Sequence, residues 1–292
     1  LIKRVLWDFV SFLRHPKDVQ TKESFKRKLQ TIFILLGFEM CVFYFVLIPL
    51  DYLIEHFVSV KEELDYKEDT LLMSAISSII LAPVLEEIGF RLILRRNFPI
   101  KYIFSQKLWD KIFPFLVYAS SVIFGFVHLT NYTNDGFWFY VFSPIIITSQ
   151  LIGGFVIVFI RVRYNLFYGT LYHALWNMLM TFIMLFTENF SSPYQEKTEK
   201  YSIEISEKYF FDEDEKQVFK IDSLQGKIHK IEVEQYSFQH FLDSLYQGNK
   251  YQINDAFIKM KFDSQKGVTK EEFIEILKKE YDIESNAAQY QP

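Results

Sequence analysis

The sequence predicts a mainly α-helical, polytopic transmembrane helix bundle of about five spans, followed by a small C-terminal soluble α+β domain. Three observations predict it. Half of the 292 residues are hydrophobic, yet the mean hydropathy is only +0.06, so the average hides two unlike parts. Five apolar windows approach or reach the roughly 20 residues that a helix needs to cross a bilayer. From Ser191 onward, polar and apolar residues instead alternate in short runs.

Charge divides the chain in the same way. Residues 1–187 carry 18 Lys and Arg against 15 Asp and Glu, whereas 188–292 carry 14 Lys, no Arg and 21 Asp and Glu. That balance gives no sign of nucleic acid as a partner. The expected organisation is a basic cytoplasmic segment at 1–28, a transmembrane core at 29–187 and a soluble extension at 188–292, with a disordered tail from 285.

In chain order, Lys3, Arg4, Arg14, Lys17, Lys22, Lys26, Arg27 and Lys28 precede the first apolar window. Such a cluster places the N-terminus in the cytoplasm, and residues 1–30 are too charged for a cleavable signal peptide. The windows are Leu29–Ile54, Leu71–Leu94, Ile112–Thr130, Phe137–Ile160 and Leu166–Thr187. Five crossings then put residues after about 188 on the opposite side. Between Arg96 and Lys111, basic residues alternate with apolar ones, as in an interfacial amphipathic helix or a plain cytoplasmic loop. The single cysteine, Cys41, lies in an apolar run and reads as a small buried hydrophobe, excluding an intrachain disulfide or a cysteine-based zinc site.

The C-terminal part reads as strands at Tyr201–Ile205, Val218–Ile221 and Ile228–Val233, with helices at Ser237–Tyr246 and Lys270–Tyr281. Asp263–Phe273 has the look of a calcium loop. Setting Gly267 at the sixth position, however, places Phe262 and Phe273 where carboxylates must stand. A turn into a helix capped by Thr269, with Glu272 three residues on, fits better. Asn131-Tyr132-Thr133 fits a glycosylation pattern that is common by chance. His229 and His240 read as surface or core residues, and Asp212–Glu215 as a solvated turn.

Charge inside the windows is what calls for chemistry. A charged side chain at bilayer depth costs about 2.5–3.5 kcal/mol on insertion scales, yet Glu86, Glu87 and Arg91 interrupt the second window. Residues four apart share a helix face, and Glu87/Arg91, Phe124/His128 and His173/Asn177 are so spaced on three helices. Taken alone, a Glu–Arg pair reads equally well as a packing ion pair, and a membrane histidine as hydrogen-bonding glue. Together they hold the parts of a peptide hydrolase: a base for water, a metal or proton partner and donors for an oxyanion. One item conflicts. Counted from the cytoplasmic ends of their windows, His128 lies about 12 Å deeper than Glu86, unless the third helix starts outside the bilayer or a helix bends at Pro83, Gly125 or Pro114.

The motifs Glu86-Glu87-Ile88-Gly89-Phe90-Arg91, Phe124-Gly125-Phe126-Val127-His128 and His173-Ala174-Leu175-Trp176-Asn177 resemble those of the CPBP intramembrane proteases. That family includes the Rce1-type CAAX prenyl endopeptidases and the bacterial Abi-type bacteriocin-processing and self-immunity proteins. Gly153-Gly154, a short basic turn and Tyr172 ahead of His173 are similar to the family's approach to its last motif. The resemblance spans about residues 71–180 and leaves out the C-terminal domain. It implies an intramembrane endopeptidase acting on a membrane-associated peptide or protein within the lipid bilayer, in a bacterial plasma (inner) membrane. Glu86 would be the general base working with His128, His173 and Asn177 would stabilise the oxyanion, and Glu87 with Arg91 would form the supporting ion pair. Zinc stays open: Glu86, His128 and His173 would make a three-ligand site, but the family has also been described as using glutamate without metal. The alternative is a non-catalytic membrane scaffold or immunity protein that binds a partner through its C-terminal domain.

Overall fold

The computed structural model describes residues 1–58, 60, 61, 70–134, 136–246, 248 and 250–285. It is mostly helical and divides into two compact units. The first comprises Leu1–Val60 and Ala75–Met180, and the second Lys61–Ser74 and Thr181–Pro292.

Five helical stretches of the chain are long and apolar enough to cross a membrane: Phe25–Glu55, Leu71–Arg91, Gln106–Asn131, Phe137–Arg163 and Leu166–Thr187. The first joins α2 (Phe25–Val42), a π-helical turn (Phe43–Leu47) and α3 (Ile48–Glu55). The second joins α4 (Leu71–Ala75), a second π-helical turn (Ile76–Leu81) and α5 (Ala82–Arg91). After the short α6 (Ile100–Ile103), α7 (Gln106–Val127) runs into a 3₁₀ turn at His128–Asn131. The fourth span breaks at Ile147 between α8 (Phe137–Ile146) and α9 (Thr148–Arg163), and α10 (Leu166–Phe190) carries the fifth. Serine hydroxyls accept the first free amides of α2 and α7, Ser24 from Arg27 and Ser105 from Leu108.

The basic N-terminal segment holds a helix that the charge pattern obscured. Along α1 (Ile2–Arg14), Val5, Phe9 and Phe12 recur at helical spacing and are buried against the core, where Phe9 and Phe12 meet Phe159 edge to face. At the centre of this unit α9 is buried from Val156 to Val162, a run that is apolar on every side except at Arg161. Glycines let it meet α7 closely: on α9 a Cβ on Gly154 would stand 3.1 Å from the Phe124 ring, and on α7 one on Gly125 would strike Leu151. Cys41 is exposed on its span rather than buried. Between 96 and 111, only the four residues of α6 are helical before α7 begins.

The second unit contains a five-stranded antiparallel sheet of β1 (Tyr194–Lys197), β2 (Ser202–Lys208), β3 (Val218–Leu224), β4 (Lys227–Ser237) and β6 (Phe257–Val268), in the order β1-β2-β6-β4-β3. A separate two-stranded ribbon pairs β5 (Tyr251–Gln252) with β7 (Glu284–Ser285). Alternation sends Ile203, Ile205, Ile231, Val233, Met260 and Phe262 into a core shared with α11 (Phe238–Tyr246) and α12 (Lys270–Leu277). The intervening positions pair opposite charges across the strands: Glu204 faces Lys261, which faces Glu232, which faces Lys220. The expected cap is present as a full capping box, Thr269 accepting from Glu272 and Glu272 from the Thr269 amide. The tail past 285 lies outside the described residues.

Lys61, which follows the first span, belongs to this second unit. Its ammonium donates to Gln252 Oε1 at 3.0 Å and to Glu284 Oε2 at 2.5 Å, and Thr70 bridges to Phe211. If all five of these helices cross, the segments after the first and the fifth lie on one side, which agrees with those contacts.

Candidate active site

The three motifs meet around the Phe124 ring. The Arg91 guanidinium lies 3.8 Å from its centroid, the Phe90 ring 5.6 Å, the His128 imidazole 4.6 Å and the His173 imidazole 5.7 Å. An aromatic face attracts a cation, so Phe124 gives Arg91 a partner where water is scarce.

The polar contacts form a chain from one end of the cluster to the other. Arg91 Nη1 stands 3.2 Å from Glu87 Oε1, and both side chains are fully buried. The same Glu87 oxygen is 3.3 Å from His173 Nδ1, and His173 Nε2 is 3.6 Å from Glu86 Oε2. A carboxylate only accepts, so His173 donates its Nδ1–H to Glu87. On the other side, Nε2 and the Glu86 carboxylate are then two acceptors, and a shared proton or a donor such as water must join them. Glu86 is the accessible member, 30% exposed against 0% for Glu87. Gly169, one turn before His173 on α10, makes room for this packing, since a Cβ there would lie 3.3 Å from Glu87 Oε2.

His128 stands apart from that chain. It follows the last residue of α7, and its Nδ1 donates to the Phe124 carbonyl at 2.8 Å, which leaves Nε2 as an acceptor in the neutral ring. Among the described residues no hydrogen bond or ion pair joins it to Glu86. Nor, among the described residues, are three His, Cys, Asp or Glu side chains gathered as a metal ion needs. In this arrangement Glu86, His128 and His173 are not placed as three ligands of one zinc ion. Asn177 Nδ2 donates to the Ser78 carbonyl at 2.7 Å.

The depth conflict is resolved by where the helices begin and end. The Ser120 hydroxyl donates to the Phe90 carbonyl at 2.8 Å, so the end of α5 is level with the upper part of α7. About 21 Å of α7, from Gln106 to Ser120, extends below that level. The third helix does begin far below the second one's end. One turn beyond the touching Phe90 and Phe124 rings, Glu86 and His128 rise to the same side.

Two buried groups escaped the sequence reading. Glu39 on α2 accepts a hydrogen bond from the Tyr172 hydroxyl, and its Oε1 faces Gly153, where a Cβ would come within 2.9 Å. Arg161 on α9 donates from Nε to the Arg91 carbonyl at 3.2 Å, tying the end of α5 to the central helix. For Glu39 the signal was present, a lone acid in an apolar window, as it was for Glu86.

Residues 68–179, which hold all three motifs, match the family described as type II CAAX prenyl endopeptidase Rce1-like. The match supports the CPBP/CAAX protease family to which the motifs point. With five spanning helices, the chain is an integral membrane protein. No curated protein and no solved structure matches it.

Proposed function

We propose that this chain is an intramembrane endopeptidase that hydrolyses a peptide bond of a membrane-associated protein or peptide, with Glu86 as general base. The observation that carries the reading is the division of labour between adjacent carboxylates: Glu87 is buried and neutralised by Arg91, whereas Glu86 is open and faces His173. Water held by Glu86 and the His128 Nε2 lone pair attacks the scissile carbonyl while Glu86 takes its proton. The oxyanion is met by His173 when the proton shared with Glu86 resides on Nε2, which then donates while Glu87 holds the Nδ1–H and Glu86 is left as the carboxylate base. Glu86 then returns the proton to the leaving amine, so that a carboxylic acid and an amine are released.

The test is cleavage of a fluorogenic peptide library by the full chain in liposomes. Glu86→Ala and His128→Ala should each abolish cleavage while the protein stays in the membrane. Retained cleavage in either would refute the assignment. A non-catalytic scaffold predicts no cleavage by the wild type either. Filled positions in all three motifs favour the enzyme.

A further inference from the structure

The second span changes register just before the site. Over Ile76–Leu81 it is a π-helix, and the Ala82 amide donates to the Ser77 carbonyl, five residues back. The next donor in that register would be the amide of residue 83, directed at the Ser78 carbonyl. Residue 83 is proline and has no N–H. Into that gap Asn177 places its Nδ2, 2.7 Å from the Ser78 oxygen.

The first span provides a comparison inside the same molecule. Its π turn, Phe43–Leu47, is also followed by a proline: Ile48 donates to Phe43, and Pro49 cannot donate to Tyr44. Among the described residues, no side chain donates to the Tyr44 carbonyl. Capping of a carbonyl opened by proline is therefore not a general requirement of this fold. It occurs on the span that carries Glu86 and Glu87, from the helix that carries His173.

We infer that Asn177 is a positioning residue: its amide replaces the hydrogen bond that Pro83 denies to Ser78 and so holds the second span in register with α10. Two contacts one turn apart on α10 then clamp the span, His173 on the Glu86/Glu87 pair and Asn177 on Ser78. The end of the span is already tied to α7 and α9 through Phe90 and Arg91, and the two contacts with α10 set the rotation and height of the turns before it. The π register and Pro83 thus become part of how Glu86 meets His173. This rests on the protease reading for its catalytic consequence, but the clamp itself does not.

A double-mutant cycle tests it, using the purified full chain. Asn177→Leu keeps volume and removes the donor, and Asn177→Ala serves should the leucine variant not be recovered. Pro83→Ala restores a backbone N–H opposite Ser78. Loss of Asn177 should lower the thermal midpoint and reduce kcat about tenfold to a hundredfold with KM little changed. In the Pro83→Ala background most of both losses should disappear. Additive losses in the double variant overturn the inference, and so does a kcat loss that Pro83→Ala leaves untouched, which is what a direct oxyanion donor would give. If the wild type cleaves nothing, the protease reading fails, but the coupling of positions 83 and 177 in the thermal midpoint still decides this one.

Discussion

The Arg91 guanidinium is stacked 3.8 Å from the centre of the Phe124 ring, so the first motif's cation is held by the second motif's aromatic residue. Fully buried Glu87 depends on that cation. Arg91→Ala leaves a buried carboxylate unpaired and should cost about 3–5 kcal/mol. Thermal unfolding of the purified chain should show that drop, and Glu87→Gln combined with Arg91→Met should recover much of it. Equal midpoints for wild type and Arg91→Ala would contradict the pairing.

Two glycines make room for acids. A Cβ on Gly153 would lie 2.9 Å from Glu39 Oε1, and one on Gly169 3.3 Å from Glu87 Oε2. Gly153→Ala must displace Glu39 and strain its bond with Tyr172, at about 1–3 kcal/mol. Gly169→Ala asks Glu87 to give by only a few tenths of an ångström, so it should lower the cleavage rate more visibly than the thermal midpoint. Measuring both quantities in both variants checks this, and the reverse ranking would show that the glycines act otherwise.

The sheet-containing unit carries a pH-sensitive acid at the start of α11. Burial pushes the Asp255 carboxyl up to about 6, although the amides of Gln239, Ala256 and Phe238 donate to it. Its raised value means that the folded state holds a proton more tightly than the unfolded chain does. The associated stability is complete below about pH 4 and lost as pH rises through about 6, amounting to at most about 3 kcal/mol. The thermal midpoint of wild type minus that of Asp255→Asn should therefore fall over this window, and a flat difference would count against it.

The contacts of Lys61 with Gln252 and Glu284 require residues after the first and fifth spans to share a side. In a Cys41→Ser background, a membrane-impermeant thiol reagent added to one face should label Val60→Cys and Ser206→Cys together. It should label Lys17→Cys only from the other face. Labelling of Val60→Cys and Ser206→Cys from opposite faces would contradict the five-span count.

The chemistry was more legible in the sequence than the architecture that holds it. The spacings Glu87/Arg91, Phe124/His128 and His173/Asn177 identify shared faces because four residues make about one turn in any α-helix. Spacing cannot say which faces meet. The sequence reading paired Glu86 with His128, whereas the closest imidazole to Glu86 is that of His173. The π segments were illegible because a five-residue register is selected by packing, though Pro49 and Pro83 mark where each one ends. The helix α1 was hidden by its own lysines and arginines, despite the apolar stripe of Val5, Phe9 and Phe12. Strand β6 alternates through Lys259, Met260, Lys261 and Phe262 as clearly as β2, β3 and β4 do, so its signal is present in the sequence as well.

The most direct test of the central claim is single-turnover cleavage by reconstituted wild type, Glu86→Gln and Glu87→Gln, with each variant's thermal midpoint measured alongside. A positioned base contributes about 10²–10⁴ in rate. Glu86→Gln should lose that factor while keeping its midpoint, and Glu87→Gln should lose stability together with rate. Cleavage by Glu86→Gln at the wild-type rate would contradict the account.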